Sequence, residues 1–181
     1  YDPKKIIEEG TKITLNLNDP SDIKDDSWIK PIKYIGIWWE MHVSKSTWNY
    51  YIFQNKEKVP HGKHGATTEN TKRYIDFAKE HGFDAVLIEG WNIGWEDIFF
   101  LQKEDSFDFI SPYPDFNIEE VSKYAKQNNI KLIMHHETSG SIINYERWLD
   151  RAINLMEKYE YLYVKTGYVG KLIPRGEYHD G

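Results

Sequence analysis

The sequence contains no cysteine, which excludes a disulfide framework and any site built on a thiolate. No apolar run approaches the roughly 18 residues that a membrane-spanning helix requires. No run of five or more basic residues occurs, and the net charge is −6. Both observations argue against nucleic acid as the main partner, because its phosphates demand a basic surface. These absences predict a chain that neither inserts into a membrane nor binds nucleic acid.

Aromatic residues are plentiful instead. They make up 15% of the chain and include seven Trp and thirteen Tyr. Aromatic rings fill protein cores, and they also stack on sugar rings because sugar C–H groups contact the π cloud. Trp48, Tyr50 and Tyr51 lie in a long segment, Met41–Ala66, that is predicted to be a loop. Loops of this length inside a compact domain are commonly functional, so the composition is compatible with a carbohydrate site.

The most informative stretch is KLIMHHETSG, residues 131–140. Its apolar run leads into His135, His136 and Glu137, and then breaks at a turn signal. This pattern predicts a buried strand of a parallel sheet. The polar residues stand at the C-terminal end of the strand, where α/β folds place their chemistry.

Three more segments have the same design, with sequences YIGIWWE (residues 34–40), AVLIEGWN (85–92) and YLYVKTGY (161–168). Glu40, Glu89, Glu137 and Lys165 stand at matching places in the four units. Since the carboxyl ends of parallel strands meet at one edge of a sheet, we expect these side chains to share a pocket. Spacing alone does not distinguish the roles of the three glutamates.

Helices are predicted between these strands. The first begins at Thr67 or Thr68 and runs to about His81, the second is capped by Asn117, and the third spans roughly Tyr145–Glu157. Strands that alternate with helices indicate an α/β fold with a parallel sheet and right-handed crossovers. A full barrel needs about 250 residues and eight strands. The sequence therefore predicts either an open sheet or a (β/α)8 TIM-type barrel of which only about the first four β/α units are present.

Two domain segments follow from this pattern. Residues 1–31 are irregular and are predicted to be a linker, with one alternating segment, Lys12–Leu17, as a candidate strand. Residues 32–181 contain all four β/α units.

Several carboxylates that converge on an aromatic-rich pocket are the tools of glycoside hydrolysis, in which one acid protonates the leaving oxygen and a carboxylate activates water or attacks the sugar. A metal-dependent hydrolase that uses His61, His64, His135 and His136 is an alternative, although His61 and His64 lack partners at fixed ligand spacing. We predict no metal ligands in this chain.

Five motifs together resemble glycoside hydrolase family 97: GIWWEMH, LIEGWNIGWE, FDFISPYPD, MHHETSG and VKTGYVGK. The resemblance covers most of the chain and implies a multidomain exo-acting α-glucosidase or α-galactosidase. It implies that residues 1–31 cross from an upstream β-sandwich domain, absent here. Residues 32–181 would then be the N-terminal half of the (β/α)8 catalytic domain.

The resemblance also implies roles for individual residues. In the inverting α-glucosidase branch, the glutamate of the HHE motif, here Glu137, is a general base that activates water. In the retaining α-galactosidase branch, an aspartate nucleophile stands at the end of the fourth strand, where this sequence has Gly167. We therefore expect exo-acting hydrolysis of α-glucosidic linkages in oligosaccharides, with inversion.

The resemblance implies that Glu89, His135 and Lys165 hydrogen-bond the hydroxyl groups of the sugar in the −1 subsite. Trp39 and Trp91 are further candidates for substrate binding, and Glu40 could instead pair with a Lys or Arg at the barrel rim. His135 has a second interpretation, in which it orients Glu137. His136 points to the opposite face of the strand, because side chains alternate with a period of two, and is expected to pack there.

Other expectations rest on the resemblance alone. The general acid and the calcium ligands of the family lie outside this chain, so calcium is an implied cofactor and the isolated chain should be inactive. The parent protein would be periplasmic or secreted, although no residue here shows export. The open sheet edges of a half-barrel would invite self-association. A retaining α-galactosidase and a non-catalytic carbohydrate-binding domain are the alternatives.

Overall fold

The structure is a computed structural model that describes residues 3–16, 22–98, 105–138 and 141–167. It divides the chain into two compact units, residues 1–31 and residues 32–181. No helix within the described ranges is both long and apolar enough to cross a bilayer.

The described residues form six helices and six strands. The helices are α1 (Pro3–Asn16), α2 (Trp39–His42), α3 (Thr68–Glu80), α4 (Trp95–Ile98), α5 (Ile118–Gln127) and α6 (Ile142–Lys158). The strands are β1 (Tyr34–Ile37), β2 (Tyr51–Gln54), β3 (Glu57–Pro60), β4 (Ala85–Ile88), β5 (Lys131–Glu137) and β6 (Tyr163–Gly167).

The first unit contains helix α1, which corrects one prediction. The strand expected at Lys12–Leu17 is wrong as far as Asn16, because these residues continue the helix. A lone strand would leave its backbone donors and acceptors without partners, whereas a helix satisfies them internally. Pro3 opens the helix, at a position where its fixed φ is already helical.

The second unit is built on a four-stranded parallel sheet with the order β1-β4-β5-β6. The prediction of an α/β fold with a parallel sheet is therefore confirmed. The strands are in register across the sheet, and one row reads Gly36, Leu87, Ile133 and Tyr163. This register decides which side chains meet at the strand ends.

The two faces of the sheet differ. On one face, residues such as Val86, Ile88 and Met134 pack under the helices in the main core, together with Ile75 of α3 and Val121 of α5. The opposite face carries a smaller cluster of Ala85, Leu87 and Ile133, with Ile32, Trp38 and Tyr163 packed against it. Side-chain alternation along each strand produces this division.

The helices begin close to the predicted residues. The Thr67 side chain accepts a hydrogen bond from Asn70 N at 3.0 Å, and the Asn117 side chain accepts one from Glu120 N at 3.1 Å. Both caps satisfy backbone donors that the helix leaves open. The last helix starts at Ile142, a turn earlier than predicted.

Two predicted segments differ in the structure. The first strand ends at Ile37 rather than Glu40, and the chain turns at Trp38 into α2. The predicted loop Met41–Ala66 contains an antiparallel hairpin, β2–β3. The turn residues Asn55 and Lys56 both have positive φ, as a two-residue type I′ hairpin requires.

Some sequence predictions fall outside the described residues. They are the break at residues 139–140, the end of the YLYVKTGY segment at Tyr168, and the VKTGYVGK motif beyond Gly167.

Candidate active site

Polar side chains gather where β4, β5 and β6 end, on the face opposite the helices. Side chains two residues apart in a strand lie on the same face of the sheet. Glu89 therefore follows Leu87 on this face, and Lys165 follows Tyr163. Lys165 is the register partner of His135, and Glu137 is the register partner of Gly167. The predicted pocket therefore exists for Glu89, His135, Glu137 and Lys165.

Glu89 and Lys165 form an ion pair in this row. Lys165 Nζ donates to Glu89 Oε1 at 2.6 Å, and Trp48 Nε1 donates to Glu89 Oε2 at 3.1 Å. Glu89 is buried whereas Lys165 is exposed. A buried carboxylate is stable only with partners of this kind, so Glu89 is held with both oxygens engaged.

His135 lies between the two carboxylates. Its Nε2 is 4.0 Å from Glu89 Oε1 and 3.9 Å from Glu137 Oε2. Both distances are too long for a direct hydrogen bond, yet one hydroxyl group placed between the atoms could bond to both. His135 is thus placed where one ligand hydroxyl could bridge it to either carboxylate.

Burial sets the charge of His135. Desolvation lowers its pKa to about 4, the Glu89 carboxylate opposes that shift, and Lys165 adds to it. The ring is therefore neutral at pH 7 and has one donor and one acceptor nitrogen. Trp95 stacks on it with ring centroids 5.9 Å apart.

Glu137 is the last residue of β5 and is only 3% exposed. The strand beside it contributes no side chain, because its partner is Gly167. A Cβ at Gly167 would lie 3.8 Å from His135 Nε2 and 3.9 Å from Glu137 Oε2. Any side chain at position 167 would thus contact both groups.

His136 lies on the helix side of β5. Its Nδ1 is 3.0 Å from the Tyr145 hydroxyl, and its ring makes an edge contact with Phe109 at 5.5 Å. Burial lowers its pKa to about 4, and the neighbouring His135 adds to the shift. The expectation that His136 packs on the opposite face is confirmed.

Trp91 requires a correction. It was expected to contact the substrate, but its side chain is 1% exposed and belongs to the main core. Its Nε1 donates to the backbone oxygen of His135 at 2.9 Å. Gly90 turns the chain at φ +80° just before it, so Trp91 supports β5 and does not face the pocket.

Trp39 lies on α2 and is 61% exposed. It makes an edge contact with Trp38, with ring centroids 5.4 Å apart. Trp38 in turn has its ring centroid 6.0 Å from Lys165 Nζ. Trp39 is thus one residue removed from the pocket, and its contact with substrate stays a prediction.

Glu40 does not join the other glutamates. Its carboxylate accepts hydrogen bonds from Ser46 Oγ at 3.0 Å and Asn70 Nδ2 at 2.8 Å, and Tyr74 OH lies 3.4 Å away. The expectation of a shared pocket is wrong for this residue. Since the chain enters α2 at Trp39, Glu40 faces α3 rather than the strand ends.

Two histidines from the predicted loop hold that segment in place. His64 Nδ1 lies 2.9 Å from both oxygens of Asp115, and its Nε2 lies 2.8 Å from Gly90 O. His61 Nε2 lies 2.9 Å from Asn49 O. No three or more His, Asp or Glu side chains in the described ranges are arranged to hold a metal ion, so the metal-hydrolase alternative has no ligand set there.

Sequence reasoning assigned no site role to Trp95 and Glu96, and it named Trp48 only as one of the aromatic residues of a long loop. Glu96 is buried and accepts from Tyr113 OH at 2.8 Å and from the backbone N of Tyr50 and Tyr51. Burial, reinforced by the Glu96 carboxylate, raises the pKa of Tyr113. The only available signal was the clustering of GWNIGWE directly after a strand end.

Comparisons with known proteins place the chain in a family. A family model described as Glycoside hydrolase 97 matches residues 38–180. A Glycoside Hydrolase Family 97 enzyme from Pseudoalteromonas sp. strain K8, solved with acarbose, has 49% identity and a TM-score of 0.75. The match covers 87% of this chain and 22% of that one. A point variant of the same enzyme, solved with panose, has 50% identity, a TM-score of 0.76 and the same two coverages.

A curated relative is the "Retaining alpha-galactosidase" of Bacteroides thetaiotaomicron. It is 29% identical over 126 residues, which is 69% of this chain and 16% of the relative. The chain thus spans less than a quarter of the length of the proteins that it matches.

Proposed function

The chain belongs to the glycoside hydrolase 97 family, and from this premise we propose that residues 32–181 are the N-terminal half of a (β/α)8 catalytic domain. The complete domain would hydrolyse α-glucosidic linkages at the ends of oligosaccharides, with inversion of the anomeric centre. Residues 1–31 would be the crossing from an upstream β-sandwich domain. A periplasmic or secreted location is part of the same proposal.

The sheet supports the half-barrel. Four parallel strands follow one another in spatial order, with helices on one face and the polar row at the C-terminal ends. Within the described residues, β1 and β6 each pair along one side only. Further strands could join both edges to close a barrel, in which such strand ends carry the active site.

The proposed mechanism assigns Glu137 as general base. Its carboxylate would take a proton from a water molecule that attacks the anomeric carbon, while an acid elsewhere in the complete enzyme protonates the leaving oxygen. Glu89 and Lys165 would accept from and donate to sugar hydroxyls. Neutral His135 would bond a hydroxyl placed between the two carboxylates.

One observation carries the choice of inversion. Glu137 lies at a strand end whose register partner is Gly167, so β6 provides no nucleophile beside it. By the family resemblance, a retaining member would need an aspartate there. In this proposal the attacking water would lie on the side of Glu137 that faces Gly167.

A retaining α-galactosidase is the second candidate, because the curated relative has that activity. The substrate class favours the first candidate. Acarbose and panose occupy the Pseudoalteromonas enzyme, and panose consists of α-linked glucose units.

Proton NMR of the first products separates the two. The full-length protein that contains this chain is given an α-glucoside and, separately, an α-galactoside. β-Glucose that appears before mutarotation supports inversion. α-Galactose as the first product would reject both the substrate and the role of Glu137.

Calcium belongs to the proposal only through the family. Because no suitable donor group lies within the described ranges, the ligands are placed elsewhere and no step above depends on them. The general acid is likewise placed outside this chain. The purified 181-residue chain should therefore show no α-glucosidase turnover under conditions in which the full-length protein is active.

A non-catalytic carbohydrate-binding domain would use the same aromatic residues. It predicts sugar affinity without turnover and no dependence on Glu137. Comparison of turnover and sugar binding in the full-length protein therefore distinguishes it from the enzyme.

A further inference from the structure

Trp48 contacts the candidate site from a loop to which the mechanism above assigns no role. Its indole N–H takes one oxygen of Glu89 and the Lys165 ammonium takes the other, at 3.1 Å and 2.6 Å. The carboxylate plane is therefore fixed at two points. A carboxylate has about four acceptor sites, so Glu89 keeps capacity for the hydroxyl groups of a sugar.

The Trp48 ring is itself immobilised. The His42 ring meets it edge-on at 4.9 Å, and Trp95 stacks on it at 5.9 Å with an interplanar angle of 19°. Trp95 is 2% exposed and also stacks on His135. An unbroken series of rings thus joins the indole to the histidine of the pocket.

The backbone of Trp48 is fixed as well. A Cβ at Gly90 would lie 3.0 Å from Trp48 O and 3.1 Å from Trp48 Cα, so only glycine lets the loop approach the turn after Glu89 this closely. On the other side, Glu96 Oε1 accepts from Tyr50 N at 3.2 Å and Tyr51 N at 3.0 Å. The close approach to Gly90 and the hydrogen bonds to Glu96 together fix the position of the Trp48 backbone, and with it the direction of the indole N–H.

We propose that Trp48 is a positioning residue that fixes the orientation of Glu89 toward the sugar. Lys165 alone cannot do this, because an exposed ammonium on a flexible stem restrains only one oxygen. The indole N–H supplies a second restraint from a rigid, packed ring. This inference rests on the proposed function, in which Glu89 binds the sugar.

The test uses the full-length protein and an α-glucoside. Trp48→Phe keeps an aromatic ring and removes the N–H. We expect kcat/KM to fall about tenfold. The Trp48 N–H donates to a charged carboxylate, and the loss of one such hydrogen bond is large enough to account for a tenfold change. The loss should appear mainly as a higher KM, since Glu89 contacts the sugar rather than the bond that breaks. Trp148→Phe, the same change on α6, is the matched control and should leave both constants unchanged.

A double-mutant cycle with Glu89→Ala separates positioning from general packing. Once Glu89 is absent, Trp48→Phe should change kcat/KM by less than about twofold. An equal loss in both backgrounds, or an unchanged KM in the Trp48→Phe single variant, would overturn the proposal. Thermal unfolding verifies the fold of each variant, and Trp48→Tyr, which also lacks the indole N–H, replaces Trp48→Phe if that variant does not fold.

The two proposals fail differently. A full-length protein with no α-glucosidase turnover rejects the proposed function. An active protein in which Trp48→Phe behaves like the control rejects only the role of Trp48.

Discussion

On β5, His135 faces two carboxylates and His136 faces Tyr145 and Phe109, although the two residues are adjacent in the chain. Both rings are buried, and burial lowers the pKa of each to about 4. Their residue type, depth and charge state are therefore the same. What differs is the face of the sheet, and with it the neighbours that each ring can bond.

The comparison shows that a lowered pKa does not distinguish the histidine proposed to bind the sugar from the one packed beneath a helix. His136 has one because it is packed beneath a helix, and His135 has one at the edge of a polar pocket. Perturbed groups are candidates only where other polar groups converge. Four predictions test whether the two faces differ in this way.

The largest expected effect is on the pocket face. Glu137→Gln removes the proposed base and keeps the shape, so kcat of the full-length protein should fall about 10²- to 10⁴-fold while sugar affinity is retained. Steady-state kinetics and calorimetric titration with an α-linked oligosaccharide measure the two. Glu146→Gln, an exposed carboxylate on α6, should change neither, and full activity in Glu137→Gln would exclude it as the base.

The next prediction replaces each of the two histidines separately by phenylalanine. His135→Phe should lower kcat/KM about 10- to 100-fold because a ligand hydroxyl loses its partner, as for a lost hydrogen bond in a buried site. His136→Phe should keep activity and lose about 1 kcal/mol of unfolding free energy, since Tyr145 loses a hydrogen bond. Kinetics and urea unfolding of both variants give the comparison. Equal losses of kcat/KM in the two variants would mean that the face of the sheet does not determine the contribution of a histidine to activity.

A smaller loss of activity is expected when the lysine at the C-terminal end of the sheet is replaced, and the lysine at the other end of the sheet serves as the control. Lys165→Met leaves the Glu89 carboxylate without its cation and should lower kcat/KM about tenfold. Lys131 lies at the opposite end of β5 and contacts the Tyr163 hydroxyl, so Lys131→Met should have no effect on kcat/KM. If both substitutions reduce activity alike, the ion pair has no special role.

The last prediction concerns stability and pH, and no change in activity is expected from it. Both histidines have folded pKa values of about 4, below the ordinary 6.5. Between these values the unfolded chain binds more protons, so stability is complete above pH 6.5 and is lost as the pH falls toward 4. Each histidine contributes a slope of at most about 1.4 kcal/mol per pH unit.

Urea unfolding of the wild type and of His136→Phe across that range tests this. The variant should have the shallower slope, because one of the two titrating rings has been removed. An identical slope would show that His136 does not titrate on unfolding.

Short sequence patterns predicted those features of the fold that depend on neighbouring residues in the chain. The apolar runs of β4 and β5, the caps at Thr67 and Asn117, and the placement of His136 all follow from side-chain alternation or from capping chemistry. Family membership was also predictable, because several motifs occur in order. The pocket of Glu89, His135, Glu137 and Lys165 follows from parallel strands that end at the same edge.

The errors at the candidate site share one cause, which is the path of the chain after a strand ends. Glu40 was placed in the pocket because the entry into α2 was not foreseen, and Trp91 because the turn at Gly90 was not. The contact of Trp48 with Glu89 joins residues far apart in sequence and depends on a loop held by Glu96 and Gly90. Such paths are set by tertiary contacts that no short window of sequence contains.

The glycine at the end of β6 has a consequence for how members of this family can change. The Cβ of an aspartate introduced by Gly167→Asp would lie 3.9 Å from Glu137 Oε2, which lets the two carboxylates come into contact. Two carboxylates so close share a proton, because both cannot ionise together at low cost. Glu137 would then lose the charge that its proposed role as a base requires, while the new aspartate would be a poor nucleophile. Positions 137 and 167 should therefore covary among relatives, and a lineage that acquires a carboxylate at 167 should replace Glu137 first or in the same step.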